Sequence, residues 1–225
     1  MEFAGWLAAC LGFSLALAGS IKRVPAVWYL LSLGLSALYL YCWFTGKLVA
    51  LPHVLAAGMR SCLPGTAFMV IVMYVGALPD SLWIKRRLQP IRAELSIMGA
   101  FLCLGHIVAF GSSYISWVWG WIPPKVAVPL GMALLLVVLL VLLTATSFSA
   151  LKRWMGGKRW KRVQKLAYVF YGVLFCHLFW FVLARRVPGS AKSTAELVVY
   201  GGLFVLYAVL RVIKARADSR ASRES

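Results

Sequence analysis

Seven long apolar runs alternate with short polar segments along this chain. They cover residues 3–20, 26–45, 66–84, 94–115, 126–146, 163–184 and 195–213. Each is close to the roughly 20 residues that a helix needs to cross the hydrocarbon core of a bilayer. Lipid cannot satisfy exposed backbone N–H and C=O groups, so runs of this length are expected to be helical. The pattern therefore predicts an all-α, polytopic membrane helix bundle with about seven transmembrane helices.

The composition supports this class and excludes a soluble domain. Hydrophobic residues make up 62% of the 225 residues and charged residues 13%, against roughly 45–50% and 25% in soluble proteins. So few polar residues cannot cover a water-facing surface.

The five cysteines include no Cys-x-x-Cys pair, so we expect small buried hydrophobic residues rather than a disulfide framework or a zinc site. They are Cys10, Cys42, Cys62, Cys103 and Cys176.

Basic residues are distributed unevenly between the connections. Lys and Arg number 24 against six Asp and Glu, which gives a formal net charge of +18. Eighteen of the 24 follow runs one, three, five and seven, and six lie in the other connections. The positive-inside rule then places the carboxyl terminus in the cytoplasm and the amino terminus outside. We expect these charges to contact anionic lipid headgroups rather than nucleic acid.

Two further expectations concern segments near the membrane surface. No basic residue precedes the first run, so we expect it to be a retained helix rather than a cleaved signal peptide. The loop after the fourth run carries three tryptophans, which favour the headgroup zone on the outer surface. These are Trp117, Trp119 and Trp121.

No segment between the runs is long enough to fold alone, so we expect any substrate-handling domain to belong to another chain.

Two of the three histidines lie inside apolar runs at matching depths. His106 is 14 residues past Arg92, and His177 is 12 residues past Lys165, each the last basic residue of its connection. At 1.5 Å per residue, both rings lie roughly 18–21 Å from the cytoplasmic charges. Two imidazoles at one level can hold a haem iron between two helices. The alternative is that each histidine only forms hydrogen bonds within the bundle.

The residues around these histidines resemble the ferric-reductase-like transmembrane family. The segment 146–180 carries Thr-Ser, a basic loop, Trp, Leu, Tyr and then His ahead of an aromatic residue. The matching positions are Thr146, Ser147, Trp160, Leu166, Tyr168, His177 and Trp180. The segment 86–110 resembles the earlier haem helix of the family, with His106 as its ligand. Within the family, the sequence looks most like the haem-binding membrane subunit of the bacterial periplasmic methionine-sulfoxide reductase system.

The inner part of the family pattern is altered in this chain. Gln164 stands where the family carries a second histidine on the sixth helix, and Arg92 stands where the wider superfamily often has histidine. The resemblance therefore implies one haem b, in the outer half, held by the two histidines. The electron donor would be either a membrane quinol or a flavin such as FMN at the inner site. A flavin phosphate would pair with Arg92, Arg159 or Lys161, and Gln164 could hydrogen-bond either cofactor or cap its helix.

The resemblance implies an electron-transfer component of an oxidoreductase in a bacterial inner membrane. Electrons would pass to an outside acceptor, either a periplasmic or extracellular reductase protein or ferric iron. We expect two amino-terminal helices in 1–62, a haem-binding core of four helices in 63–185, and a last helix with a basic tail in 186–225. The alternative is a cofactor-free membrane permease or assembly scaffold, in which both histidines are replaceable.

Two acidic residues flank the connection between the third and fourth runs. Asp80 and Glu94 are expected to pair with Lys85, Arg86 or Arg92 rather than to move protons.

Overall fold

The fold is entirely helical in the part of the chain that the structure describes. A computed structural model describes residues 2–118, 120, 122–184 and 190–224. The helices are α1 (Glu2–Arg23), α2 (Pro25–Phe44), α3 (His53–Arg60), α4 (Leu63–Ala77), α5 (Trp83–Leu88), α6 (Arg92–Val118), α7 (Pro124–Ala145), α8 (Ser149–Met155), α9 (Gly157–Gln164), α10 (Leu166–Ala184) and α11 (Ala191–Glu224). Among these residues, six helical stretches are long and apolar enough to span a membrane, and the bent pair of α3 and α4 makes a seventh if it crosses as one span. The prediction of an all-α, multi-pass membrane protein is confirmed.

The third span differs from its predicted limits of 66–84. It consists of α3 and α4, which meet at a 63° bend, and the helix ends at Ala77. Pro79 explains this end, because the residue before a proline is biased away from helical geometry. Cys62 lies in the bend with a φ of +56°, a left-handed conformation that is uncommon for a residue with a side chain. His53, which lies between the second and third apolar runs, is the first residue of α3.

Two polar segments are more helical than predicted. The basic loop after α7 folds into the short helices α8 and α9, separated by Gly156, whose φ of +71° suits a glycine. Helix α11 continues to Glu224 instead of ending near residue 213 before a polar tail. The prediction for Trp119 and Trp121 falls outside the described residues, and so does the Trp117 side chain.

Helices α4 and α6 form the centre of the bundle. Nearly every residue of α4 is buried, and α6 packs against α2 on one side and α4 on the other. Glycines allow the close approach of α4 and α6. A Cβ atom on Gly65 would lie 2.5 Å from the Cys103 sulfur, and one on Gly99 would lie 3.0 Å from Phe68. Small residues at such crossings let backbones meet in membrane bundles.

Ion pairs hold the segment between α4 and α5. Asp80 pairs with Lys85 at 2.6 Å and with Lys214 of α11 at 3.6 Å, so its predicted pairing with Lys85 is confirmed. Both lysines also donate to the carbonyl of Leu78, which follows α4. Glu94 instead pairs with Lys22 of α1 at 3.2 Å, so its predicted partners were wrong. A partner from a distant helix had no signature in the local sequence.

The Asp80 cluster predicts a loss of stability in acid. Its hydrogen bond to Lys85, followed by the charge of Lys214, holds the pKa of the Asp80 carboxyl below its usual value. The stabilisation is therefore complete above the unfolded pKa of about 3.9 and is lost as the pH falls through the lower folded value. We expect Asp80→Asn to lower the Tm by a few degrees at pH 6 in detergent. The difference from the parent protein should persist down to about pH 4 and vanish only as the pH falls further, through the lower folded pKa of Asp80. An equal difference at every pH would contradict this prediction.

Candidate cofactor sites

His106 has one ring nitrogen fixed by the backbone of another helix. It lies 14 residues into α6, roughly 21 Å from the helix start. Its Nδ1 atom is 2.7 Å from the carbonyl oxygen of Arg60, the last residue of α3. A carbonyl only accepts, so Nδ1 carries the proton and donates, which leaves the Nε2 lone pair available in a neutral ring. Metal-binding histidines are commonly oriented by a hydrogen bond of this kind.

The bend between α3 and α4 supplies that carbonyl. The last carbonyls of a helix have no partner within it, and the chain turns away at Ser61 and Cys62. The Arg60 oxygen is thereby left to accept from His106. Sequence reasoning missed this contact, because a backbone acceptor 46 residues away leaves no local pattern.

His177 presents an unpaired nitrogen inside the bundle. It lies 11 residues into α10, roughly 17 Å from the helix start. Its Nδ1 atom is buried and makes no hydrogen bond with any described residue. The ring lies next to the backbone of Pro129 on α7 and within range of an electrostatic interaction with His106. A buried polar atom without a partner is costly and suggests a ligand.

The two helices that carry the histidines are separate rather than packed together. Helix α10 packs mainly against α7 and α11, whereas α6 packs against α2 and α4. Aromatic rings stand beside each imidazole, with Phe110 at 4.7 Å from His106 and Phe181 at 5.0 Å from His177 between ring centroids. Of the other aromatic residues on α10, Phe170 and Tyr171 are buried and Trp180 is exposed. Each imidazole thus has an aromatic neighbour.

The donor set fits a haem better than a free metal ion. Within the described residues, no group of three or more His, Cys, Asp and Glu side chains is placed to hold a metal. A structural zinc site needs four such ligands. A haem iron needs only axial ligands from the protein, since the porphyrin supplies the others. His106, with its oriented ring, and His177, with its unpaired nitrogen, have the chemistry of two such ligands.

A second site lies toward the basic end of the bundle, the end at which α6 and α10 begin. A cavity of about 750 Å³ is lined by the first turns of both helices and by parts of α4, α7, α9 and α11. Six basic side chains contribute to its wall: Lys22, Arg92, Lys152, Lys161, Lys165 and Arg211. Such a cavity attracts anionic groups.

The structure brings most of the predicted inner-site residues into this cavity. Arg92, Lys161 and Gln164 all line it, whereas Arg159 is exposed and does not. The Arg92 guanidinium donates from Nε to the carbonyl of Val72 at 3.2 Å. It also lies 3.1 Å from the position of a Cβ on Gly76, so the glycine makes room for it. The α4 backbone therefore holds Arg92 at the cavity wall.

Thr146 connects the Thr-Ser and Trp positions of the sequence pattern through hydrogen bonds. It follows α7, and its backbone carbonyl accepts from Trp160 Nε1 at 2.9 Å. Its hydroxyl accepts from Gln164 Nε2 at 2.9 Å and donates to the carbonyl of Leu142. These bonds fold α9 back over the cavity. They also use one donor of Gln164, so Gln164 has a structural role whether or not it meets a cofactor.

Two buried oxygens in the cavity lack hydrogen-bond partners among the described residues. They are Oε2 of Glu94 and Oγ1 of Thr144, and both residues line the cavity. On another part of the wall, Arg211 donates to the hydroxyl of Tyr168. Unsatisfied acceptors beside several cations suit a ligand that combines an anionic group with N–H or O–H donors.

The cavity and the histidine pair are close along the same two helices. Tyr171 lines the cavity six residues before His177, and Ile97 lines it nine residues before His106. The helix rise puts these separations at roughly 9 and 14 Å. The fold therefore defines a multi-pass membrane protein with two candidate sites, one above the other, between α6 and α10.

Two curated proteins are similar to this chain over part of their length. One is an uncharacterized protein of Treponema pallidum (strain Nichols), 38% identical over 166 residues, which cover 72% of this chain and 46% of the relative. The other is the methionine-sulfoxide reductase heme-binding subunit MsrQ of Polaromonas naphthalenivorans (strain CJ2). It is 35% identical over 83 residues, which cover 37% of this chain and 35% of that protein.

These matches are partial. The chain spans less than half the length of either relative. No family model and no solved structure matches the chain. The likeness to MsrQ suggests that family and is consistent with a bacterial membrane protein.

Proposed function

We propose that this protein is a membrane electron-transfer subunit with one haem b held by His106 and His177. A quinol or flavin donor occupies the cavity at the basic end, and electrons leave toward an outside acceptor. The acceptor is a partner reductase or ferric iron. The observation that carries the proposal concerns one nitrogen of each ring. The Nδ1 atom of His106 is bound to the Arg60 carbonyl, and the Nδ1 atom of His177 is buried without a hydrogen bond to any described residue. The partial likeness to a haem-binding subunit supports the same function.

A bound haem would supply a one-electron carrier inside the membrane. His106 would bind through Nε2, because its Nδ1 proton is engaged with Arg60. His177 would approach from α10, and the apolar residues around both rings would exclude water. Helices α6 and α10 pack mainly against different neighbours, which would leave room for a haem between them.

Charged and polar residues of the chain line the proposed donor site. Arg92 and Lys161 place positive charge on the cavity wall from two different helices, α6 and α9. An FMN phosphate would meet these charges. A quinol would instead use the unpaired oxygens of Glu94 and Thr144 as hydrogen-bond acceptors. In the orientation predicted from the basic residues, this cavity faces the cytoplasm and the histidine pair lies in the outer half.

The absorption spectrum of the purified protein tests the proposal. The chain should be produced in cells supplied with haem precursor and purified in detergent. We expect a b-type Soret band that sharpens on reduction, with about one haem per chain by pyridine haemochrome assay. A colourless preparation that is folded by its circular dichroism would overturn the proposal. That outcome would favour the cofactor-free permease or scaffold.

A further inference from the structure

Helices α8 and α9 form a basic hairpin at the end of the bundle where α6 and α10 begin. The hairpin connects α7, which ends at Ala145, to α10, which begins at Leu166. Both of these neighbours are long and apolar enough to span a membrane, so the hairpin lies close to the level of the lipid headgroups. Residues 149–165 carry seven Lys and Arg, and no Asp or Glu occurs between residues 146 and 195. No carboxylate nearby in the sequence balances this positive charge.

The fold divides the seven cations of the hairpin between two sides. Three of them line the cavity at the basic end of the bundle, namely Lys152, Lys161 and Lys165. The other four are exposed and do not line it: Arg153, Lys158, Arg159 and Arg162. The cavity therefore accounts for fewer than half of these charges.

The helical geometry of α9 explains this division. Residues at i, i+1 and i+4 lie within a sector of about 100° on a helix. Positions 158, 159 and 162 form one such sector, and positions 160, 161 and 164 form another on the opposite side. The second sector is held toward the cavity, because Trp160 and Gln164 both donate hydrogen bonds to Thr146. The first sector, with its three cations, therefore faces away from the cavity.

An exposed tryptophan accompanies these cations. Trp154 follows Arg153 on α8, and 83% of its surface is exposed. Gly156, with a φ of +71°, turns the chain so that α9 packs against α8. Tryptophan favours the headgroup zone of a membrane, where its ring leaves water and its N–H group still finds a polar partner. Four cations beside an exposed tryptophan match an anionic headgroup layer in both charge and polarity.

We propose that the exposed face of the hairpin binds the headgroups of anionic phospholipids in the adjacent leaflet. This face consists of Arg153, Trp154, Lys158, Arg159 and Arg162. The lipid phosphates accept hydrogen bonds from the guanidinium and ammonium groups, and the tryptophan ring lies among the headgroups. An acidic protein would match the charge, but the hairpin is joined at both ends to membrane spans, so headgroups are always within reach. The binding does not depend on haem, and it leaves the opposite side of α9 free to line the cavity.

Native mass spectrometry of the full chain in detergent tests this proposal. The protein is stripped of lipid and mixed with equal amounts of phosphatidylglycerol and phosphatidylcholine, and the bound lipids are counted. We expect the parent protein to retain phosphatidylglycerol in preference. Arg159→Gln combined with Arg162→Gln should reduce this preference by about tenfold or more, because each cation near an anionic surface changes affinity roughly fivefold. Lys161→Gln combined with Lys165→Gln removes the same charge from the cavity side and should reduce it by less than about threefold.

Equal retention of the two lipids by the parent protein overturns the proposal and favours an acidic protein as the occupant. Equal effects of the two double variants also overturn it, because the exposed face would then not be the site.

A fluorescence measurement in nanodiscs that contain phosphatidylglycerol checks the position of Trp154. Its emission is the difference between the parent protein and Trp154→Phe. Phosphatidylglycerol with brominated acyl chains should quench this emission. Quenching by acrylamide from the water, without quenching by the brominated lipid, overturns the proposal. The lipid preference of the parent protein can be read even where a variant fails to fold.

The haem content of the same samples separates this proposal from the function proposed above. A phosphatidylglycerol preference that depends on the exposed face, in a chain that binds no haem, would sustain the lipid site and remove the haem proposal. Bound haem without this preference would do the reverse.

Discussion

Replacing His177 or His106 by alanine is expected to reduce the haem content of the purified protein by more than tenfold. Each change would remove one of the two proposed axial ligands, and even the loss of a residue that only supports a ligand commonly costs about 10–100-fold in metal affinity. His106→Ala also leaves the Arg60 carbonyl without its donor. The measurement is haem per chain by pyridine haemochrome assay, together with the Soret band of the reduced protein.

The matched control is His53→Ala, which changes an exposed histidine at the start of α3. It should keep the haem content and spectrum of the parent protein. A second series separates ligation from folding: His177→Gly should regain a Soret band when imidazole is added, because free imidazole can occupy the space of the missing ring. Full haem content in both alanine variants would exclude His106 and His177 as the ligands.

Replacing Arg92 by glutamine is expected to weaken FMN binding by roughly tenfold to a hundredfold, if the cavity takes a flavin. A hydrogen bond to a charged group contributes about 1.5–3 kcal/mol, and each 1.4 kcal/mol is a factor of ten in affinity. Arg92 lies on the cavity wall and is held there by the Val72 carbonyl. Quenching of FMN fluorescence by the purified protein measures the dissociation constant.

Arg159→Gln is the matched control, because it removes the same charge from an exposed residue outside the cavity wall. It should change FMN affinity by less than about threefold, through screened long-range charge alone. Lys161→Gln tests the wall from α9 without disturbing the Arg92 bond to α4. Equal effects of Arg92→Gln and Arg159→Gln would contradict a specific phosphate site. A parent protein that binds a short-chain quinone but no FMN would leave the quinol as the donor.

The apolar pattern predicted the limits of most helices well, but it predicted those of the third span poorly. The run in α7 is long, continuous and bounded by polar residues, so its limits were clear. Helix α4 is buried on nearly all sides, so its apolar residues carry no periodicity that would locate its ends. The bend at Cys62 and the end at Ala77 depend on packing against α6 and on Pro79. The basic loop seemed irregular because α8 and α9 are too short for a clear pattern.

The sequence also located some of the candidate site residues and could not distinguish others. Counting residues from the basic connections was enough to place His106 and His177 at similar depths, because helix rise is constant. The resemblance to the ferric-reductase-like family implied that Arg92 and Gln164 share an inner site, and both line the cavity. The sequence could not separate Lys161 from Arg159, because neighbouring basic residues on the short helix α9 differ only in the direction that the folded chain gives them.

The sequence by itself determined that this protein is an all-α membrane bundle, because hydrocarbon admits long apolar segments only as helices that satisfy their own backbone. It also set the height of each polar residue along its helix. The tertiary structure alone decided which groups meet: the Arg60 carbonyl with His106, Lys22 with Glu94, and Thr146 with Gln164. These contacts depend on bends, glycine crossings and the rotation of each helix about its axis, and lipid-facing and protein-facing sides of an apolar helix look alike in sequence.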